Sequence, residues 1–292
     1  MKKDTALLRT KVTNDLMHYI YENIDSQINL DTLSEDFHLS KFHLHRIFKQ
    51  EFDSNIYETI KSIRLQKASN LLITNKNSTI SEISSTCGYG SQTSFIRAFN
   101  ARFGMSPKKW RKGGFIEYSN KIINEVPKEL ISNRDYSKLL PIIKKMPSVT
   151  VYYIRHHGYS EEIKKCWQKL QTFILSNNIQ NYSQIAIYHD NPIITPLKDC
   201  NYVACLSIED TQNMSKINLP SFELNAGVYA EFSAKGYNDD ILKLVQWIYH
   251  EWLPSSGYET TNKPPFLIYD ENNFLNEDGF FSLKYYIPII LA

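Results

Sequence analysis

Two domains of different class are expected from this chain of 292 residues: an all-α module of two helix-turn-helix units, then an α+β module with internal duplication. Three observations lead there. Apolar residues recur at helical spacing through the first 112 positions, whereas from Pro147 alternating segments rich in Val and Tyr take over. The apolar set Leu33, Phe37, Leu44, Phe48, Phe52 returns as Ile83, Cys87, Phe95, Phe99, Phe103, offset by 50 residues and then by 51. Charge is divided as well: residues 40–112 hold 13 Lys and Arg against four Asp and Glu, while residues 116–292 hold 16 against 20.

The helices follow in order. Leu16, Ile20 and Ile24 mark the first. Asp31 is placed to cap a short helix through Phe37, and Ser40 to cap the next, to about Phe52. A longer helix runs from about Asn55 to Thr74. Thr79 and Glu82 have capping-box spacing and open a short helix that Gly88 ends. Ser91 to Phe103 is helical up to Gly104, and Ser106-Pro107 starts a last short helix through Trp110. Residues 113–145 read as a charged connector. Strands are then expected at Ser148–Arg155, Ile185–Tyr188, Tyr202–Ile208, Phe222–Phe232, Phe266–Tyr269 and Phe280–Ile289, with helices at Ser160–Leu175 and Asn238–Trp252.

Composition excludes other classes. With 42% apolar and 22% charged residues the chain is globular rather than disordered. No run of about 18 apolar residues spans a membrane, and the opening MKKDTALLRTKVTND has no apolar signal-peptide core. Cys87, Cys166, Cys200 and Cys205 form no CxxC pair and no zinc-type spacing, so they read as reduced thiols of a cytoplasmic protein. No metal, cofactor or catalytic constellation is expected: there is no phosphate loop and no nucleophile elbow.

A basic module joined to a mildly acidic one suits a polyanion-binding head with a separate partner domain. In SKFHLHRIFKQEF the apolar stripe is Leu44, Ile47, Phe48 and Phe52, which leaves Lys41, Phe42, His45 and Arg46 outward at the N-terminal end. In the second copy Gln92, Thr93, Ile96 and Arg97 face outward. A recognition helix presents such N-terminal residues to base edges in the major groove. Arg46 suits guanine, Phe42 a thymine methyl, Gln92 adenine, and Arg97 guanine or phosphate. Phosphate contacts are expected from Lys49, Lys61, Arg64, Lys67, Arg102, Lys108, Lys109, Arg111 and Lys112.

The string SKFHLHRIFK and the block Gly88-Tyr89-Gly90-Ser91-Gln92 through Phe95, Phe99, Phe103-Gly104-Met105-Ser106-Pro107 to Trp110-Arg111 give residues 8–112 their resemblance to the DNA-binding domain of AraC/XylS-family transcription regulators, in the branch of MarA, SoxS and Rob. The resemblance implies two helix-turn-helix units joined by a linker helix, both recognition helices in successive major grooves on one DNA face, and RNA polymerase as a partner. The family's base-reading positions correspond to the eight residues named above. Trp110 stands where Tyr is common.

Residues 146–292 are rich in aromatics and similar to the GyrI-like domain. VTVYYIRHHG at Val149–Gly158, Ala186 to Pro192 with Thr195-Pro196, Ala226 to Phe232, Trp252-Leu253-Pro254-Ser255-Ser256-Gly257-Tyr258-Glu259, and Pro264 to Tyr269 carry the match. It implies two β-α-β-β halves around a groove for small lipophilic molecules, often cations. Tyr152, Trp167, Tyr188, Trp252, Leu267 and Tyr269 are the expected groove members. Where the family commonly has a groove Glu, this chain has Leu267, and where Asp is frequent it has Val203. An apolar residue does not neutralise a buried cation. Either the ligand is neutral, or Glu231 or Glu259 substitutes, or the groove no longer senses drugs. Three functions stay open: an effector-sensing regulator, a constitutive regulator whose second domain docks a protein, and a GyrI-like hydrolase, which would need an acid/base carboxylate.

Overall fold

The computed structural model describes residues 2–125, 132, 134–209, 217, 219–261 and 263–291. It divides into two compact units, Met1–Gly114 and Phe115–Ala292. The first is a succession of helices: α1 (Lys2–Glu22), α2 (Leu30–Asp36), α3 (Lys41–Phe52), α4 (Ile56–Thr74), α5 (Ile80–Thr86), α6 (Gln92–Phe103) and α7 (Pro107–Lys109).

Side-chain caps set their starts. Ser40 Oγ accepts from His43 N, Asn55 Oδ1 from Glu58 N, Ser91 Oγ from Ser94 N and Ser106 Oγ from Lys109 N. Thr79 and Glu82 form the reciprocal box. At α2 the cap is Asn29, whose Oδ1 accepts from Asp31 N at 2.9 Å. Asp31, expected as that cap, instead sits in the first turn, where its charge favours the positive helix end.

The sequence repeat is also a geometric repeat. His38 (φ 52°) and Gly88 (φ 72°) take left-handed backbone at equivalent helix ends. Ser40 and Ser91 cap equivalent second helices, which end on left-handed Asp53 (φ 50°) and Gly104 (φ 66°). The inserted residue therefore lies in the turn between Gly88 and Ser91. Leu16, Ile20, Leu44, Phe48 and Ile56 core the first copy. In the second copy Phe95, Phe99, Phe103 and Trp110 pack edge-on or tilted, with ring centroids 4.5–5.6 Å apart. The Trp110 indole N–H donates to Ser69 O at 3.0 Å, tying α7 to α4.

Within the stretch expected as a connector, the chain turns through Trp110–Gly114, where Gly113 has φ 102°, into helix α8 (Phe115–Asn124), and strand β1 (Ile142–Met146) follows. Residues 126–131 and 133 of that stretch lie outside the described residues. α8 turns Phe115, Ser119, Ile122 and Ile123 inward over only ten residues. β1 leaves Ile142 and Ile143 exposed, so it shows no alternation in the sequence.

The second unit continues with β2 (Val149–His157), α9 (Ile163–Ser176), β3 (Tyr182–Tyr188), β4 (Asn201–Ile208), β5 (Ser221–Leu224), β6 (Gly227–Gly236), α10 (Asn238–Trp247), a wide turn at Ile248–Trp252, α11 (Leu253–Ser255), β7 (Tyr258–Thr260), β8 (Phe266–Glu271) and β9 (Phe281–Leu291). The expected strand Phe222–Phe232 is thus two, β5 and β6, broken at Asn225-Ala226, and they pair with different partners. The sheet is antiparallel and curled, in the order β1-β6-β9-β8-β3-β4-β2-β5, with β7 beside β9. The β2-α9-β3-β4 half meets the β6-α10-β8-β9 half where β3 pairs β8. Both α9 and α10 cover one face of the sheet. The other buries Val151, Tyr153, Ile185, Ile187, Val203, Cys205, Phe266 and Tyr286.

Candidate DNA interface and effector site

In α3 the stripe Leu44, Ile47, Phe48, Phe52 is buried, and Lys41, Phe42, Arg46 and Lys49 are exposed, Phe42 by 78%. His45 is half-buried, its ring 6.0 Å from that of Tyr57 on α4. In α6 Phe95, Phe99 and Phe103 are buried, Gln92, Thr93 and Arg97 are exposed, and Ile96 is half-buried. Each helix therefore buries an apolar underside and leaves the outward side of its first two turns exposed or half-exposed. Lys41 pairs with Asp31, and Lys61 with Glu58 at 2.5 Å. Lys108, Lys109 and Lys112 are exposed around α7. The Arg102 guanidinium lies 5.4 Å from the centre of the Phe103 ring. Arg111 is half-buried, and desolvation lowers its pKa.

Two of the residues expected at phosphates are engaged within the unit itself. Arg64 Nε and Nη2 donate to Ile24 O at 3.0 Å and Ser26 O at 2.5 Å, just past α1. Lys67 Nζ donates to Thr86 O at 2.7 Å, at the end of α5. Burial lowers the pKa of both side chains. Both cations sit at helix ends, where unpaired carbonyls gather negative charge. Sequence reasoning counted them with the basic surface because a positive charge on a helix does not reveal which neighbouring helix terminus it meets.

In the second unit the register places Tyr152, Tyr188, Leu267, Tyr269 and Phe232 on the helix-covered face of the sheet. Leu267 is fully buried opposite Ala186 and Tyr285, with Tyr188 and Tyr269 near it. Trp167 from α9 packs 5.6 Å from Tyr269, and its indole N–H donates to Tyr202 Oη at 3.0 Å. Tyr202 packs edge-on to Tyr188 at 5.4 Å and Tyr285 lies 6.4 Å from Tyr188, so both join the cluster. Sequence reasoning passed over this pair; their membership follows from strand register alone. Burial pushes the phenols of Tyr188, Tyr202, Tyr269 and Tyr285 well above their ordinary range, so all stay protonated. Trp252 belongs to the other half, 4.8 Å from Phe232 and 6.3 Å from Tyr258. Tyr152 is half-buried on β2.

Neither alternative acid joins Leu267. Glu231 lies on the opposite face, beside Tyr286, accepting from Lys144 Nζ at 2.6 Å and Tyr286 Oη at 2.7 Å. Burial raises its pKa, but the Lys144 ammonium and the Tyr286 hydroxyl outweigh that and hold the carboxyl below its ordinary value. Glu259 sits in β7, opposite Ile290 of β9. Val203 also faces away from Leu267. Among the described residues no group of His, Cys, Asp or Glu could hold a metal, no helix is long and apolar enough to cross a membrane, and the four cysteines are buried and form no disulfide.

A twice-repeated exposed helix on a basic module, followed by a duplicated curled sheet with an aromatic buried face, defines a DNA-binding regulator with a small-molecule domain. Comparison with known proteins agrees. A "GyrI-like small molecule binding domain" matches residues 141–290, and a "Helix-turn-helix domain" matches residues 33–113. The chain belongs to the AraC-type helix-turn-helix regulators that carry a GyrI-like small molecule binding domain.

Its curated relatives each match part of the chain. The DNA gyrase inhibitor of Escherichia coli K12 is 28% identical over 133 residues, 45% of this chain and 83% of that protein. The probable transcription factor PqrA of Proteus vulgaris is 31% identical over 105 residues, 35% of this chain and 85% of that protein. The xylose operon regulatory protein of Escherichia coli K12 is 35% identical over 95 residues, 32% of this chain and 24% of that protein. Among solved structures, the EcmrR C-terminal domain is 16% identical with a TM-score of 0.40, covering 53% of this chain and 99% of that one.

Proposed function

We propose that α3 and α6 read two unequal half-sites in successive major grooves of duplex DNA, so that the target is asymmetric. One observation carries this reading: two helices with the same serine cap, left-handed end and buried stripe expose different side chains. A palindrome is the mark of one motif used twice by a dimer, whereas two motifs in one chain need none. Lys41, Phe42, His45 and Arg46 read one half, and Gln92, Thr93, Ile96 and Arg97 the other. Lys49, Lys61, Arg102, Lys108, Lys109, Arg111 and Lys112 hold phosphates. Lys41 and Lys61 exchange their carboxylate partners for phosphate at little cost, because exposed ion pairs are worth about 0–1 kcal/mol. The regulator works in the cytoplasm with RNA polymerase as its partner and carries out no catalysis of its own.

The GyrI-like domain senses a small lipophilic molecule at the face formed by Tyr152, Trp167, Tyr188, Trp252, Leu267 and Tyr269. With Leu267 in the middle and Glu231 turned to the other face, the site favours a neutral ligand. Binding of the full chain to duplex DNA at graded salt tests the DNA half of the reading. About six to ten phosphate contacts lower the affinity about 10³–10⁵-fold between about 50 and 200 mM salt. A salt-independent affinity would remove the phosphate assignments.

A further inference from the structure

The first turn of α4 carries an aromatic side chain that neither the base-reading nor the phosphate assignments use. Tyr57 is 55% exposed, although it follows the fully buried Ile56. Its ring centroid lies 6.0 Å from that of His45 on α3, with the two planes tilted by 41°. Among the described residues no hydrogen bond engages the Tyr57 hydroxyl or the His45 imidazole, so both polar groups are open to DNA.

The internal repeat gives this position an independent meaning. At the offset of 51, Asn55 corresponds to Ser106. Each caps the helix after a recognition helix, accepting from Glu58 N at 2.9 Å and from Lys109 N at 3.2 Å. The buried Ile56 then corresponds to the buried Pro107, Tyr57 to Lys108 and Lys61 to Lys112, and the last four side chains are exposed. His45 corresponds to Ile96, both half-buried. The first copy thus presents a phenol where the second presents an ammonium. Tyrosine hydroxyls are regular donors to phosphate oxygens. Such a neutral donor, unlike a lysine, neutralises no phosphate charge and so releases no counterion. The ring meanwhile restricts His45, and ordering a side chain before binding removes part of the entropy that binding would otherwise cost.

We propose that Tyr57 belongs to the first DNA half-site in two ways: its hydroxyl donates to a backbone phosphate, and its ring positions His45 toward the base edge. This rests on the reading that α3 lies in the major groove.

The test uses the full chain and the duplex that the wild type enriches from a randomised pool, with its single-base variants, in anisotropy titrations at graded salt. Tyr57→Phe keeps the ring and removes the hydroxyl. Its affinity should fall about two- to tenfold for every sequence, with base preference and the slope against log salt unchanged. Lys61→Gln should instead reduce that slope by about one. Tyr57→Ala removes the ring as well. It should relax discrimination at the base pair that His45→Ala relaxes, and the double variant should relax it no further than His45→Ala alone. Thermal melts check that each variant is folded, and Tyr57→Leu takes the place of Tyr57→Ala should that one not fold. The proposal is overturned if Tyr57→Phe keeps wild-type affinity, or if discrimination at the His45 base pair survives Tyr57→Ala. Should Arg46→Ala still relax preference in those cases, α3 reads DNA and only the role of Tyr57 falls. If the pool yields no preferred duplex, or Arg46→Ala also changes nothing, the reading of α3 falls and the proposal with it.

Discussion

Arg46 and Arg64 are the same residue type on neighbouring helices, and their surroundings assign them different work. Arg46 is exposed near the start of α3, whereas Arg64 is spent on two backbone carbonyls just beyond α1. Arg46→Ala should therefore weaken specific DNA sites by about 1–3 kcal/mol and relax preference at one base pair, leaving the melting temperature unchanged. Arg64→Met should do the reverse: stability falls by about 1.5–3 kcal/mol for hydrogen bonds from a charged group, and base preference is kept. Competition binding against single-base variants, beside thermal melts, separates the two. At Leu267 the sequence already showed an apolar residue at a position expected to line the groove. The face on which it lies, and the exclusion of Glu231 from that face, needed strand register. Leu267→Glu should turn weak binding of a fluorescent lipophilic cation into tight binding, read by dye titration. Tight wild-type binding unchanged in the variant would show that another acid serves the site.

At the scale of elements, the helices of the first unit were legible because each carries its own local signal: a capping side chain, an apolar stripe, and a glycine or proline at its end. Asn29 was missed as a cap because Asp31, two residues on, is chemically as good. The second unit was legible where strands alternate. It was not legible at β1, whose isoleucines stay exposed at the sheet edge, nor at the break between β5 and β6, which only their different partners reveal. Two predictions belong here. Gly88 joins α5 to the end of α1 with φ 72°, and a Cβ there would stand 2.6 Å from Ile24 O and 2.8 Å from Arg64 Nη2. Gly88→Ala should then destabilise the chain by about 1–3 kcal/mol, measured by denaturant unfolding. β1 is fastened to β6 by Lys144 and Glu231. Because the Glu231 carboxyl is depressed in the folded state, its stabilisation is fully present above the unfolded value, about 4.3, and is lost as pH falls through the folded value. Lys144→Met should flatten that acid limb of the stability profile. An unaltered limb would show that the pair contributes nothing to it.

For the whole molecule, the change from basic to acidic charge, the boundary between the two compact units and the gap between the two family matches all fall between residues 112 and 141. A basic reader and a mildly acidic sensor thus occupy one chain, and the central claim is that the reader uses two different helices on one stretch of duplex. Selection of binding sites from a randomised DNA pool, run with the wild-type chain, Arg46→Ala and Arg97→Ala, tests this most directly. The wild type should enrich an asymmetric sequence. Each variant should relax it at its own position, the two positions lying about one helical turn, or 10 base pairs, apart. A palindromic consensus, or relaxation at the same position in both variants, would contradict the account.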